Sequence, residues 1–96
     1  MQATPQLRRD QFVVRSPDAL MAEVDGETVL MSVEKGSYFG LAETAREIWA
    51  RLEARVAIGD LCDQLVAHYD GDPSSIETDT IGFLGRLAEV GLVVVE

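Results

Sequence analysis

The side chains able to do covalent or metal chemistry are few in this sequence, and their spacing does not suit it. One histidine, His68, and one cysteine, Cys62, are present. Together they fall short of the four ligands of a structural zinc site, and no H-x-E or C-x-x-C spacing supplies the rest. Cys62 sits in an apolar, helix-like run, where packing as a small hydrophobe is expected. His68, near the end of that run, suits the negative pole of a helix. Asp60 with Asp63 and Asp70 with Asp72 form acid pairs. The segment Asp70-Gly71-Asp72-Pro73 lacks the length and the closing Glu of a calcium loop, so capping and solvation account for it. The glycines are scattered, and neither G-x-x-x-x-G-K nor G-x-G-x-x-G occurs. These residues argue against an enzyme and call for no metal and no cofactor. The expectation is a binding module.

The elements that would position a binding surface change period once along the chain. Residues 1–11 are polar, contain Pro5 and show no period, and read as a flexible arm ahead of a domain over residues 12–96. Leu20–Val24 reads as a strand, Asp25-Gly26 as a hairpin turn and Glu27–Val33 as the returning strand. Glu34-Lys35-Gly36-Ser37 is a second turn before a short third strand, Tyr38-Phe39-Gly40-Leu41. After Leu41 the period becomes helical. Ala45, Ile48, Trp49 and Leu52 share one face of a helix over 42–54, and Ile58, Leu61, Cys62, Leu65, Val66 and Tyr69 share one over 58–69. Asp72 as N-cap and Pro73 at the first position open a third helix, 73–90, which Gly91 closes. Leu92–Val95 is a short β-type end. Strands followed by helices predict an α+β fold, a three-stranded antiparallel sheet followed by a three-helix bundle, winged-helix-like in outline.

Charge narrows the partners. The 96 residues carry 8 Lys+Arg against 17 Asp+Glu, a formal net charge of −9. From residue 56 onward Arg86 stands as the single base against eight acids. Nucleic-acid binding by counterion release needs a basic cluster, and an anionic membrane surface repels the same charge. A winged-helix DNA-binding regulator is therefore the alternative that this sequence disfavours, since the third helix sets Glu77, Asp79 and Glu89 against Arg86. A lone Cys62, the absence of a signal-type apolar stretch at the N-terminus and the absence of any apolar run near ~18 residues fit a soluble cytoplasmic protein.

The run Val29-Leu30-Met31-Ser32-Val33-Glu34-Lys35-Gly36-Ser37-Tyr38-Phe39-Gly40-Leu41, followed by Thr44-Ala45 and Ile48-Trp49, resembles the signature stretch of PqqD-like proteins. Val14-Arg15-Ser16-Pro17-Asp18 before it, and Phe83-Leu84, Leu87 and Gly91-Leu92 after it, fit the same pattern. The resemblance spans about residues 12–95. Ala42 departs from it, because the family often places Asn there as a helix cap. These proteins are the recognition elements of pathways that modify ribosomally made peptides. The resemblance implies a domain without catalysis that binds the leader of a precursor peptide as an added strand, between the third strand and the third helix. It implies presentation of that peptide to a modification enzyme, such as a radical-SAM enzyme or a lasso-peptide protease and cyclase. A recognition domain detached from a larger fused enzyme fits the chain as well, and pairing of two copies through the same edge stays open.

The residues meet this implication at the third strand. A strand that comes last in a meander has one unpaired edge, and strand addition uses such an edge for affinity. Ser37, Tyr38, Phe39, Gly40 and Leu41 form it, with Gly40 offering no side chain against a close backbone approach. Tyr38 and Phe39 point to opposite faces. Ordinary packing of both aromatics against the core explains them as well. Across the cleft, Ile76, Asp79, Gly82, Phe83 and Arg86 of the third helix are the candidate wall.

Overall fold

A computed structural model describes residues 7–34 and 36–96 and, of Ser37, the backbone alone. Within them the chain runs β1 (Phe12–Arg15), β2 (Ala19–Val24), β3 (Glu27–Ser32), β4 (Ser37–Leu41), α1 (Glu43–Ala50), β5 (Val56–Ala57), α2 (Ile58–His68), α3 (Pro73–Glu89) and β6 (Val93–Val95). The α+β class holds. The expected meander is the antiparallel sheet β2-β3-β4, in that order. Asp25 (φ 53°) and Gly26 (φ 80°) supply the two left-handed residues of a tight hairpin turn. The second turn includes Lys35, which lies outside the described residues. After it the Gly36 N–H donates to the Ser32 carbonyl at 2.8 Å.

The strand period of two sorts this sheet's side chains. Thr28, Leu30, Ser32 and Leu41 are buried on the face toward the helices, while Leu20, Val24, Met31 and Tyr38 are exposed on the other. Leu20, Met31 and Tyr38 stand opposite one another across the three strands.

A second sheet departs from the single one that the periodicity predicts. β1 pairs antiparallel with β6 on one side and with β5 on the other. The β-type end at Leu92–Val95 is thus a paired strand, Val14 opposite Val94. β1 and β5 carry no readable period because they are four and two residues long, and their pairing partners are remote in sequence. The Phe12 and Glu96 backbones exchange bonds of 3.1 and 2.8 Å, which ties the two ends of the domain together.

Residues 7–11, read as part of a flexible arm, are held against the body. The Ile58 N–H donates to the Gln11 carbonyl at 2.8 Å and the Gly59 N–H to the Arg9 carbonyl at 2.9 Å. The Arg9 guanidinium pairs with Asp63 of α2 at 3.0 Å and with Glu77 of α3, so one side chain links both helices. The hydrogen bond to Asp63 contributes most to raising the Arg9 pKa, followed by that to Glu77. The rest of the expected arm, residues 1–6, lies outside the described residues.

The first helix is shorter than its apolar period suggests. It ends at Ala50, and the Arg51 N–H turns back onto the carbonyls of Glu47, Ile48 and Trp49. Arg15 of β1 donates to the Trp49 carbonyl at 3.1 and 2.8 Å and lies 4.7 Å from the Trp49 ring centroid. The Trp49 carbonyl, which already accepts from the Leu52 N–H at 3.1 Å, thereby gains a charged donor at the helix end. Leu52, expected within the helix, is instead fully buried just beyond it. The core joins Val13 and Leu30 from the two sheets to Ile48, Trp49, Ile58, Leu61, Cys62, Leu65, Leu84, Leu87 and Leu92. Each large apolar side chain buried there contributes roughly 1.5–3 kcal/mol. Among the described residues no helix is long and apolar enough to cross a membrane.

Candidate functional site

The site begins with a strand that has a partner on one side only. β4 pairs with β3 from Ser32↔Ser37 to Thr28↔Leu41 and is the last strand of its sheet. Alternate N–H and C=O groups along its other side have no strand to bond within the described fold.

α3, which meets β4 through one aromatic pair, has a capped first turn. The Asp72 carboxylate accepts from the Ser75 N–H at 2.9 Å and from the Ser75 hydroxyl at 3.0 Å, and Pro73 occupies the start of the helix. These contacts set the helix phase. Residues 76, 79, 83 and 86 then recur at three- and four-residue steps and face the same side.

Phe83 connects the two elements. Its ring meets that of Phe39 edge-to-face, with centroids 5.8 Å apart. Such a pair contributes about 0.5–1.5 kcal/mol beyond its buried area. Beside this contact opens a cavity of about 490 Å³, walled by α3 through Ile76, Asp79, Thr80, Phe83 and Arg86. α1 and its entry contribute Ala42, Thr44, Ala45 and Ile48, and the end of α2 contributes Leu65, Tyr69, Asp70 and Gly71. A volume of this size lies in the range that accommodates a small ligand or an inserted side chain.

The candidate residues divide accordingly. Ile76, Asp79, Phe83 and Arg86 line the cavity. Phe39 reaches it through Phe83, and Leu41 is buried in the core below the strand. Tyr38 is 77% exposed and shares its face with Gly40, so the side-chain positions of both turn away from α3, and what they offer at the edge is backbone. The side chain of Ser37 lies outside the described residues. Gly82 is exposed and does not line the cavity, and a Cβ added there would meet nothing within 4 Å. No close packing within the described chain therefore requires a glycine at 82.

The contributions of α1 and the α2 end went unread in the sequence. Ala42, Ala45, Leu65 and Tyr69 look there like ordinary helix-face residues. A usable signal was the small size of Ala42 and Ala45, which line the same cavity as Phe83. No side chain caps α1 at Ala42.

Chemistry beyond binding has little to draw on. Cys62 is 1% exposed, and burial pushes its thiol pKa up, away from the reactive thiolate. His68 is exposed and stacks edge-on against Tyr69 at 4.7 Å. Among the described residues no group of three or more His, Cys, Asp or Glu is placed to hold a metal.

An α+β domain with an open strand edge beside a helix-lined cavity is the architecture of a peptide-recognition element. The sequence pattern of the family described as Coenzyme PQQ synthesis protein D (PqqD) matches residues 27–93, more than two thirds of the chain. The chain belongs to the PqqD family. Among curated proteins none matches it. Its fold is similar to that of TbiB1, whose structure is described as a complex with the TbiA(beta) leader peptide. The two are 32% identical with a TM-score of 0.72, over 83% of this chain and 93% of that one. It is also similar to a lasso peptide synthetase B1 complexed with the leader peptide, at 26% identity and a TM-score of 0.71, covering 85% and 96%. The PqqD truncation of Methylobacterium extorquens PqqCD, a stand-alone recognition element, shares the fold at 21% identity and a TM-score of 0.67, covering 86% and 88%.

Proposed function

We propose that this chain binds the leader segment of a ribosomally synthesised precursor peptide as an added strand on β4, in the cleft between β4 and α3. One observation carries the reading: the unpaired edge of β4 lies next to an apolar cavity, and the Phe39–Phe83 contact joins the two. Backbone pairing supplies affinity, and side-chain pockets supply choice. The leader-peptide complexes of TbiB1 and the lasso synthetase B1, at 32% and 26% identity, support it.

The role is that of a carrier rather than a catalyst, acting in the cytoplasm. The domain over residues 12–96, with residues 7–11 packed against it, holds the substrate for a separate modification enzyme. A lasso-type protease and cyclase is the partner class favoured by the likeness to the B1 proteins, and a radical-SAM enzyme is the second class. DNA binding by α3 has no support in its charge, since Glu77, Asp79 and Glu89 face a phosphate-lined groove with Arg86 alone in opposition.

The test is a titration of the full chain with the TbiA(beta) leader peptide, followed by amide chemical shifts. Shifts concentrated in Ser37–Leu41 and α3 are expected. Shifts confined to α1 overturn the reading.

A further inference from the structure

The cavity is apolar in its depth and charged at its rim, and the rim charges are unanswered. Asp70, Asp79 and Arg86 all line the cavity and are exposed. Among the described residues Arg8, Arg9, Arg51 and Arg55 each pair with a carboxylate, but Asp70, Asp79 and Arg86 enter no ion pair. Arg86 instead holds its guanidinium over the Phe83 ring, 5.9 Å from the centroid.

Helix stabilisation explains part of this arrangement and leaves part over. Arg86 lies in the last turn of α3, where a cation offsets the dipole. Asp79 lies beyond the first turn, and the acidic residues of that turn are none. The dipole, which acts within the terminal turn, therefore does not account for Asp79. Asp79 and Arg86 are seven residues apart, about 10 Å along the axis at ~1.5 Å per residue. They are too far apart to pair with each other. On one face of an extended peptide, side chains four residues apart stand ~13 Å apart, so a long basic and an acidic side chain at those positions reach Asp79 and Arg86.

We propose that this rim reads charge in the bound peptide. One large apolar side chain enters the cavity against Phe83 and Ile76. On the same face of the added strand, two residues to one side, a Lys or Arg meets Asp79; two residues to the other side, an Asp or Glu meets Arg86. This rests on leader binding by strand addition and adds the class of sequence selected. Between open-edge partners of equal apolar content, the charge order decides which is held. The selection weakens as salt rises, because the rim is solvent-exposed.

The test uses a phage-displayed library of random dodecapeptides panned on the full chain and on the variants Asp79→Lys and Arg86→Glu, each checked for native circular dichroism. The wild-type chain is expected to enrich a large apolar residue flanked at two-residue steps by a base and an acid. Asp79→Lys replaces the enriched base by an acid, and Arg86→Glu replaces the enriched acid by a base. One enriched peptide, synthesised, should bind Asp79→Lys about fivefold more weakly, since exposed pairs are modest, and exchanging its base for Glu should restore affinity.

Enrichment without charge order, or a loss that the exchange does not restore, overturns the charge reading. If such uncharged peptides still shift the Ser37–Leu41 amides, strand addition survives alone. Enriched peptides that shift neither β4 nor α3 overturn both.

Discussion

Strand addition makes a prediction that other binding modes do not share: single N-methyl groups along the leader should weaken binding with a period of two. β4 is five residues long, so two or three of its residues direct N–H and C=O toward an added strand. That allows about four backbone hydrogen bonds, each with a net contribution of roughly 0.5–1.5 kcal/mol. A methyl on a leader amide that faces β4 removes one donor, leaves a strand carbonyl unpaired and adds bulk at the line of contact. The combined cost of about 1.4–3 kcal/mol is a loss of tenfold or more in affinity. The next amide along the leader points away from β4, and a methyl there should change affinity less than about twofold. Calorimetric titration of the full chain with a set of singly methylated leader peptides measures this directly. Alternating strong and weak losses across about five positions are expected. Losses that recur every three to four residues would show a helical ligand, and uniform indifference would show that backbone pairing carries no affinity. Either result refutes the reasoning.

Other perturbations probe what holds the site in shape. Phe83→Leu keeps apolar volume but removes the edge-to-face contact with Phe39; it should cost about 1–2 kcal/mol in urea unfolding and weaken leader binding, whereas unchanged affinity would separate the cleft from this contact. Arg15→Ala loses both hydrogen bonds to the Trp49 carbonyl and should cost about 2 kcal/mol. Arg15→Lys should recover only part of that in the same thermal assay, because an ammonium lacks the two-pronged geometry. Cys62 should resist a thiol reagent at pH 8 until the chain is unfolded by denaturant. Its folded pKa is raised, first by burial and then by Glu77. The stability it contributes is therefore complete below the thiol pKa of the unfolded chain and declines as pH rises through the folded value. Urea midpoints at pH 7 and pH 10 for the wild-type chain and Cys62→Ala check this sign.

The legible parts were those with a local cause. Asp25-Gly26 forms the hairpin turn that its left-handed preference demands, Asp72-Pro73 opens α3, and Gly91 (φ 79°) follows its end. The order of the strands left β4 as the last of a meander, and the helical period put Ile76 and Phe83 on the apolar stripe of α3 with Asp79, Gly82 and Arg86 along its flank. Gly82 shows the limit of that method. It lies at helical spacing from Asp79 and Arg86 yet remains outside the cavity lining, because spacing defines a face and not the depth of what the face touches.

Sequence alone determined the type of most elements, the order of the meander and its helices, and the acidic character that turns away phosphate. These follow from dihedral preference, hydrophobic period and composition, all of which act over a few residues. Tertiary structure decided that Phe12–Arg15 pairs with Val93–Val95, that Arg15 bonds the Trp49 carbonyl near the end of α1, and that Arg9 joins α2 to α3. It also decided that Ala42 and Ala45 line the same cavity as Phe83. Each of these depends on residues far apart in the chain, and no local propensity encodes which distant partner a short strand or an arginine will meet.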